Sequence, residues 1–533
     1  MSKVLRIDAR DNVLVALEDL PKGPCFCNEG TFHLSQDVPQ KHKFITSDLK
    51  QNEKVIMYGV PVGKVTSDLK SGSLLTTENL IHFAEEASIT ARKVISWNPP
   101  NISKFSSRSF DGYHRTDGRV GTANYWLVVP LVFCENRNLR IIEEALTRQL
   151  GYHRPNKYES IVVERLTGAA VETAETPKRR FQNVDGIKFL YHQGGCGGTR
   201  DDSESLLRLL AGYVHHPNVA GATILSLGCQ HAQIHWFQEI EKQMFPGDDR
   251  PVYFLEQQQL PSEEALIIKA IDYTLEGLKY ANQLQRKEAP LSKLTIGLEC
   301  GGSDGFSGIS ANPTLGFVSD LLVSLGGSTL LSEFPELNGV EQNLMDRCIS
   351  EALAEKFLKL QRTYEQRALA VGSGFDRNPS PGNIKDGLIT DAIKSAGAAK
   401  KGGTAPVSDV LDYTQQVMGP GLHLLCTPGN DVESTTALAS SGANIILFTT
   451  GLGTPTGNPV VPVIKVSSNS SLKNRMSDII DFDTGSIIQG QSTVQSKGEE
   501  LMDLIIKVAS GKETCAMKLE QNDFIPWKRG VSL

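Results

Sequence analysis

Leu294-Thr295-Ile296-Gly297-Leu298-Glu299-Cys300-Gly301-Gly302-Ser303-Asp304-Gly305 runs from an apolar stretch of strand length straight into a glycine-rich loop. A short apolar run bounded by turn residues suits a strand buried on both faces, as parallel sheets require. The pattern returns at Thr329-Leu330-Leu331, Leu422-His423-Leu424-Leu425 and Asn444-Ile445-Ile446-Leu447-Phe448, so residues 288–533 read as one α/β domain. Upstream, Ile161-Val162-Val163, Ile187-Lys188-Phe189-Leu190-Tyr191, Ala222-Thr223-Ile224-Leu225-Ser226-Leu227 and Val252-Tyr253-Phe254-Leu255 alternate with helical stretches such as Asp202 to Tyr213. These predict a second α/β domain over 113–287, and the polar stretch Gln285-Arg286-Lys287-Glu288-Ala289-Pro290 separates the two.

Residues 1–95 carry a different period. Val13-Leu14-Val15-Ala16-Leu17 and Lys54-Val55-Ile56-Met57-Tyr58 are short segments between turns such as Pro21-Lys22-Gly23-Pro24, which predicts a small all-β module. Between it and the α/β part, residues 96–112 include the polar, proline-paired stretch from Trp97 to Ser109. That composition predicts an extended, mobile linker. A chain of 533 residues exceeds what one core usually supports, in keeping with several domains.

The 54 Lys+Arg against 61 Asp+Glu give a net charge of -7, the wrong sign for holding nucleic acid by counterion release. No stretch has the length and apolarity of a membrane span or a signal peptide, so a cytoplasmic protein is expected. The nine cysteines are too sparse for a disulfide scaffold and are expected as reduced thiols, some of them ligands.

In open parallel sheets, ligands bind beyond the carboxyl ends of the strands. His192-Gln193-Gly194-Gly195-Cys196, Gly228-Cys229-Gln230-His231 and Glu299-Cys300-Gly301 each place a thiol beside glycine at such an end. Each cysteine alone is more often a small buried hydrophobe in a tight turn, and His192 or His231 alone a satisfied loop or core histidine, but three thiols in the same topological place favour function more than one does. Glu299, Cys300 and Asp304 are harder to explain structurally. Two carboxylates and a thiol in one loop repel one another unless a cation offsets them. The turns Asn378-Pro379-Ser380-Pro381-Gly382-Asn383 and Thr427-Pro428-Gly429-Asn430-Asp431 offer oxygens for a polyol or metal. Phe448-Thr449-Thr450-Gly451-Leu452-Gly453-Thr454 suits a carboxylate cradle, and its glycine spacing fits neither a Walker loop nor a dinucleotide fingerprint.

Taken together, these motifs resemble the altronate and galactarate dehydratase family over nearly the whole chain. The most specific block is Glu299-Cys300-Gly301-Gly302-Ser303-Asp304-Gly305-Phe306-Ser307-Gly308 with Ala311-Asn312-Pro313. Thr427-Pro428-Gly429-Asn430-Asp431 and Pro335-Glu336 followed by Gly339-Val340-Glu341-Gln342 resemble the altronate branch. The resemblance implies an N-terminal β-clip (SAF) module, a middle domain used for dimerisation and a C-terminal Rossmann-like domain holding a metal. It also implies a hydro-lyase that dehydrates D-altronate to 2-dehydro-3-deoxy-D-gluconate by taking the C2 proton and expelling the C3 hydroxyl. The alternatives are a dehydratase of another sugar acid and a silent sugar-acid-binding paralogue. Ala123, Gln230, Ile384, Leu452 and Thr456 depart from the family's pattern.

Carried onto this chain, the reading expects Lys465, His192 and Lys394 as catalytic groups. Asn124, Asn312, Asn383, Asn430, Thr450 and Thr454 are expected to bind substrate. Glu299, Cys300, Asp304 and Asp431 are expected to hold a divalent metal, Fe2+ or else Mn2+, with Cys196 and Cys229 as alternative iron ligands and an iron–sulfur cluster left open. The expected partners are a small sugar acid and a second copy of the chain in a homodimer, with neither nucleic acid nor membrane.

Overall fold

The Thr295–Cys300 strand lies at the centre of a seven-stranded sheet in the computed structural model, which describes residues 3–168, 177–375 and 378–533. Its order is Val407–Leu411, Gly421–Leu425, Ser328–Leu331, Thr295–Cys300, Ile445–Thr450, Val463–Ser467 and Phe482–Asp483, and every pairing is parallel. Ile445–Thr450 and Val463–Ser467 are buried at every position, which is why they read as apolar runs without alternation. From Thr295–Cys300 the chain builds outward to Ser328–Leu331 on one side and later returns to Ile445–Thr450 on the other. At such a switch of strand order, open parallel sheets bind ligands beyond the strands' carboxyl ends.

The chain divides into two units: Met1–Phe110 with Glu288–Asp523, and Asp111–Lys287 with Phe524–Leu533. The last ten residues therefore go with the Asp111–Lys287 unit. The N-terminal module consists of small antiparallel sheets, built on Val13–Ala16 with Lys43–Ile45 and on Lys54–Met57 with Val60–Val65. Within the first unit its Val55, Val62 and Val65 share one apolar core with Phe306, Leu331, Phe334 and Ile393.

The stretch expected to be a loose linker is instead held down. Phe105 is 1% exposed. Trp97 donates to Thr404 Oγ1, and Lys104 and Arg108 pair with Glu499 and Asp503. One buried aromatic and two ion pairs give this polar segment partners that only the fold supplies.

The second unit holds a four-stranded parallel sheet in the order Gly186–Phe189, Tyr125–Pro130, Val219–Ser226, Val252–Glu256. Ile161-Val162-Val163, expected as a strand, belongs to the helix Lys157–Thr167. Asn156 caps its start by accepting from Tyr158 N, and Gly168, at φ 71°, ends it in a left-handed turn. A three-residue apolar run has no period of its own, so the caps decide. The missing strand is Tyr125–Pro130, in which Trp126 is fully buried.

Candidate functional site

At the carboxyl end of Thr295–Cys300, alternation along the strand sends Glu299 and Cys300 to opposite faces, and both are buried. Cys300 Sγ lies 3.3 Å from Glu336 Oε2 and 3.5 Å from Glu333 Oε2. Among the described residues these three side chains form a group whose ligand atoms lie within 4.8 Å of one another. Lys401 Nζ donates to Cys300 Sγ at 2.8 Å and to Glu333 Oε2 at 2.5 Å. Lys394 Nζ donates to Glu336 Oε1 at 2.6 Å and to Asn378 Oδ1 at 2.9 Å.

The two glutamates come from the turn after Ser328–Leu331, and the two lysines from the helix Asp391–Ala398 and the 3-10 turn Ala399–Gly402. Glu333 adopts φ 64°, ψ 60°, a left-handed conformation that is uncommon outside glycine. Thr427 holds it there: Glu333 N donates to Thr427 Oγ1, and Phe334 N to the Thr427 carbonyl. Strain of this kind persists only where neighbours enforce it, and it concentrates at functional sites.

Glu299 Oε2 accepts from Ser434 Oγ at 2.6 Å and from Ser332 Oγ at 3.0 Å. Its Oε1, like Glu333 Oε1, is buried without a hydrogen-bond partner among the described residues. Burial, then the Glu333 carboxylate, pushes the Glu299 carboxyl well up, and burial with Glu333 and Glu336 does the same to the Cys300 thiol. Burial opposes ionisation of Glu336 too, but Lys394 and Lys401 outweigh it and hold that carboxyl below its ordinary value.

Asp431 joins this end. A Cβ on Gly301 would stand 2.1 Å from Asp431 Oδ2, and burial with Glu333 and Glu336 raises its carboxyl to about 7. Glu299, Glu333, Glu336 and Asp431 thus face two ammonium groups, Lys394 and Lys401. More acidic groups than ammonium groups, unpartnered buried oxygens and a mixed thiol–carboxylate donor set fit a divalent cation of intermediate softness.

The remaining expected residues divide by place. Lys465 is fully buried in Val463–Ser467, its Nζ donates to Gln521 Oε1 at 3.2 Å, and burial lowers its ammonium to about 8. Thr450 and Thr454 flank Gly302, whose Cβ would stand 3.3 and 2.9 Å from their hydroxyls. Asp304, expected beside Cys300 as a ligand, turns elsewhere. Lys41 Nζ pairs with its Oδ2 at 3.0 Å, Ser307 and Ser468 donate to its Oδ1, and Asn469 donates to its Oδ2.

The asparagines are structurally engaged. Asn312 joins the Gly397 carbonyl to Thr449, and Asn383 closes a capping box with Ser380 while donating to the Ser303 carbonyl. Asn430 caps the helix Asp431–Ser440. In the other unit, Asn124 donates to the carbonyls of Asn183 and Ala281. His192 is sealed there, with Nε2 against the Pro130 carbonyl and Nδ1 accepting from Gly194 N, and burial lowers its imidazolium to about 4. Cys196 and Cys229 lie in that unit as well, both exposed.

Sequence reasoning missed Glu333, Glu336 and Lys401 as site residues. The signal for the glutamates was present, in Ser332-Glu333-Phe334-Pro335-Glu336 directly after a strand. Nothing local marks Lys401, which stands in an unremarkable Ala399-Lys400-Lys401-Gly402 turn.

Comparison with known proteins agrees along the whole chain. Residues 2–82 match the family model "Altronate/galactarate dehydratase SAF domain", 112–282 "D-galactarate dehydratase/Altronate hydrolase, second domain", and 291–532 "D-galactarate/Altronate dehydratase, C-terminal". Altronate dehydratase of Escherichia coli (strain K12) is 34% identical over 537 residues, covering 99% of each chain. Altronate dehydratase of Bacillus subtilis (strain 168) is 33% identical with both chains fully covered. Galactarate dehydratase (L-threo-forming) of Escherichia coli (strain K12) is 28% identical, over 96% of this chain and 93% of its own. With full-length identity at this level and all its parts matched in order, the chain belongs to the altronate/galactarate dehydratase family and is an enzyme of the lyase class.

Proposed function

We propose that this sugar-acid dehydratase acts on D-altronate, removing water across C2 and C3 to give 2-dehydro-3-deoxy-D-gluconate. The observation that carries this reading is the buried Cys300, Glu333 and Glu336 group with its two lysines, at the carboxyl end of the central strand of the seven-stranded sheet. The full-length likeness to two altronate dehydratases, at higher identity than to the galactarate enzyme, supports the substrate.

Cys300, Glu333 and Glu336 would hold a divalent metal, with Fe2+ favoured by the thiol and Mn2+ the alternative. A metal held there would supply Lewis acidity toward a substrate carboxylate. Lys394, whose ammonium is kept charged by Glu336, clamps the carboxylate. Lys465 Nζ, lowered to about 8, is partly neutral near physiological pH and takes the C2 proton. The C2–H electrons form the C2–C3 double bond as the C3–O bond breaks. A proton from the Asp431 carboxyl converts the leaving hydroxyl to water, and the enol tautomerises to the 2-keto acid. Thr450 and Thr454 offer hydroxyls to the substrate beside Gly302.

Anaerobic assay of the purified protein with Fe2+, comparing D-altronate with other aldonates and with galactarate, tests the proposal. Preferential formation of a 2-keto-3-deoxy acid from altronate is expected. Preference for galactarate would replace the substrate, and no turnover with any sugar acid would leave a silent paralogue. The same reading has the enzyme act as a cytoplasmic homodimer, which light scattering and cell fractionation check.

A further inference from the structure

Three cysteines outside this site converge at one edge of the second unit. In its parallel sheet, Tyr125–Pro130 lies between Gly186–Phe189 and Val219–Ser226. Each of these adjacent strands runs at its carboxyl end into a segment bearing one thiol: Cys134 in the 3-10 turn Phe133–Glu135 after Pro130, Cys196 after Phe189, Cys229 after Ser226. The loops are tied together by backbone. Phe133 N donates to the Gly194 carbonyl and Ala232 N to the Gly195 carbonyl, both at 3.1 Å, so the segments bearing Cys134 and Cys229 both bond the one bearing Cys196. Gly195 makes this approach possible: at φ +97°, a Cβ on it would stand 2.1 Å from the Leu131 carbonyl oxygen.

All three thiols are exposed and unpaired by disulfides. Beside Cys134, Glu135 is fully buried, and its Oε1 has no hydrogen-bond partner among the described residues. Such an atom calls for an explanation, and a bound group is one.

We propose that Cys134, Cys196 and Cys229 hold an iron–sulfur cluster. Soft thiolates select iron–sulfur clusters, zinc or copper(I), and spacing separates these. Tetrahedral thiolates around a single ion with bonds of about 2.3 Å place their sulfurs about 3.8 Å apart. The cysteine trio is not among the groups of described residues whose ligand atoms lie within 4.8 Å, a condition that Cys300, Glu333 and Glu336 meet. Loops splayed over three parallel strands suit a body wider than one ion. With three protein thiolates, a four-iron cluster keeps one iron for a ligand other than cysteine.

The test is to purify the full chain anaerobically, reconstitute it with Fe2+ and sulfide, and measure iron, acid-labile sulfide and the electron paramagnetic resonance of the reduced protein. About four acid-labile sulfides per chain are expected, as for a cubane cluster. Cys134→Ser, Cys196→Ser and Cys229→Ser should each bring sulfide and signal to background, while before reconstitution they melt as the wild-type protein does, because these side chains are exposed. Cys300→Ser should retain both. Iron without sulfide would mean a single-ion site and overturn the proposal, as would wild-type protein free of both, or sulfide that survives in the three variants. These readouts do not depend on turnover, so they stand apart from the substrate assigned above.

Discussion

Lys401 Nζ lies 2.8 Å from Cys300 Sγ, a buried ammonium donating to a buried sulfur. The same nitrogen neutralises Glu333, and burial that would otherwise lower it is overcome by Cys300, Glu333 and Glu299, so its ammonium is held well above the ordinary lysine range. This cation therefore supports the Cys300 and Glu333 side of the cluster, as Lys394 supports Glu336.

Lys401→Met is accordingly expected to destabilise the fold by about 3–5 kcal/mol, the usual cost of leaving a buried charge unpaired. Urea unfolding of the variant measures this. A change within error of zero would mean that Glu333 is protonated or otherwise compensated in the native protein.

Cys300→Ser replaces the soft donor and leaves the carboxylates. Iron bound in excess of that held with acid-labile sulfide, and turnover with Fe2+, should fall at least about tenfold, with a smaller loss for a hard ion such as Mg2+. Equal losses with both ions would show that the sulfur does not select the metal.

Asp304→Asn should leave metal content unchanged and lower stability, because Asp304 is the partner of Lys41 and the acceptor for Ser307 and Ser468. Loss of that buried partner costs about 3 kcal/mol or more. Metal analysis beside a thermal melt separates this from a ligand's behaviour, in which metal would be lost.

Lys465 sets a pH limb. Its folded-state value, about 8, lies below the ordinary 10.5, so the cost of keeping it charged is fully present below about 8 and disappears as pH rises through 10.5. Lys465→Met should thus gain stability relative to the parent at pH 7 and lose that advantage above pH 10. If Lys465 Nζ takes the C2 proton, the parent's turnover rises with pH through about 8, while the variant loses activity at least about a hundredfold. An unchanged limb in the residual activity of Lys465→Met would assign the base elsewhere.

The fold was largely legible because parallel strands buried on both faces must be continuous apolar runs, as at Ile445–Thr450. It failed where the local signal was short or shared. Ile161-Val162-Val163 took the form its caps imposed, and the linker's single Phe105 could not announce that it had somewhere to pack. Glycine-flanked Cys300 and the turn carrying Asp431 were recognisable because a thiol or carboxylate at a strand end stands out against its own neighbours.

By itself, then, the sequence determined the α/β architecture with its small β module, the family, and one edge of the site, since periodicity, turn residues and contiguous motifs are properties of short segments. Only the tertiary structure decided that Cys300 faces Glu333, Glu336 and Lys401, while Asp304, four residues away, faces Lys41. It also removed His192 to the other unit with both ring nitrogens engaged. The physical reason is that the electrostatics of a buried site depend on which charges share a low-dielectric space. Residues brought together by a parallel sheet lie tens of positions apart along the chain, where no local pattern connects them.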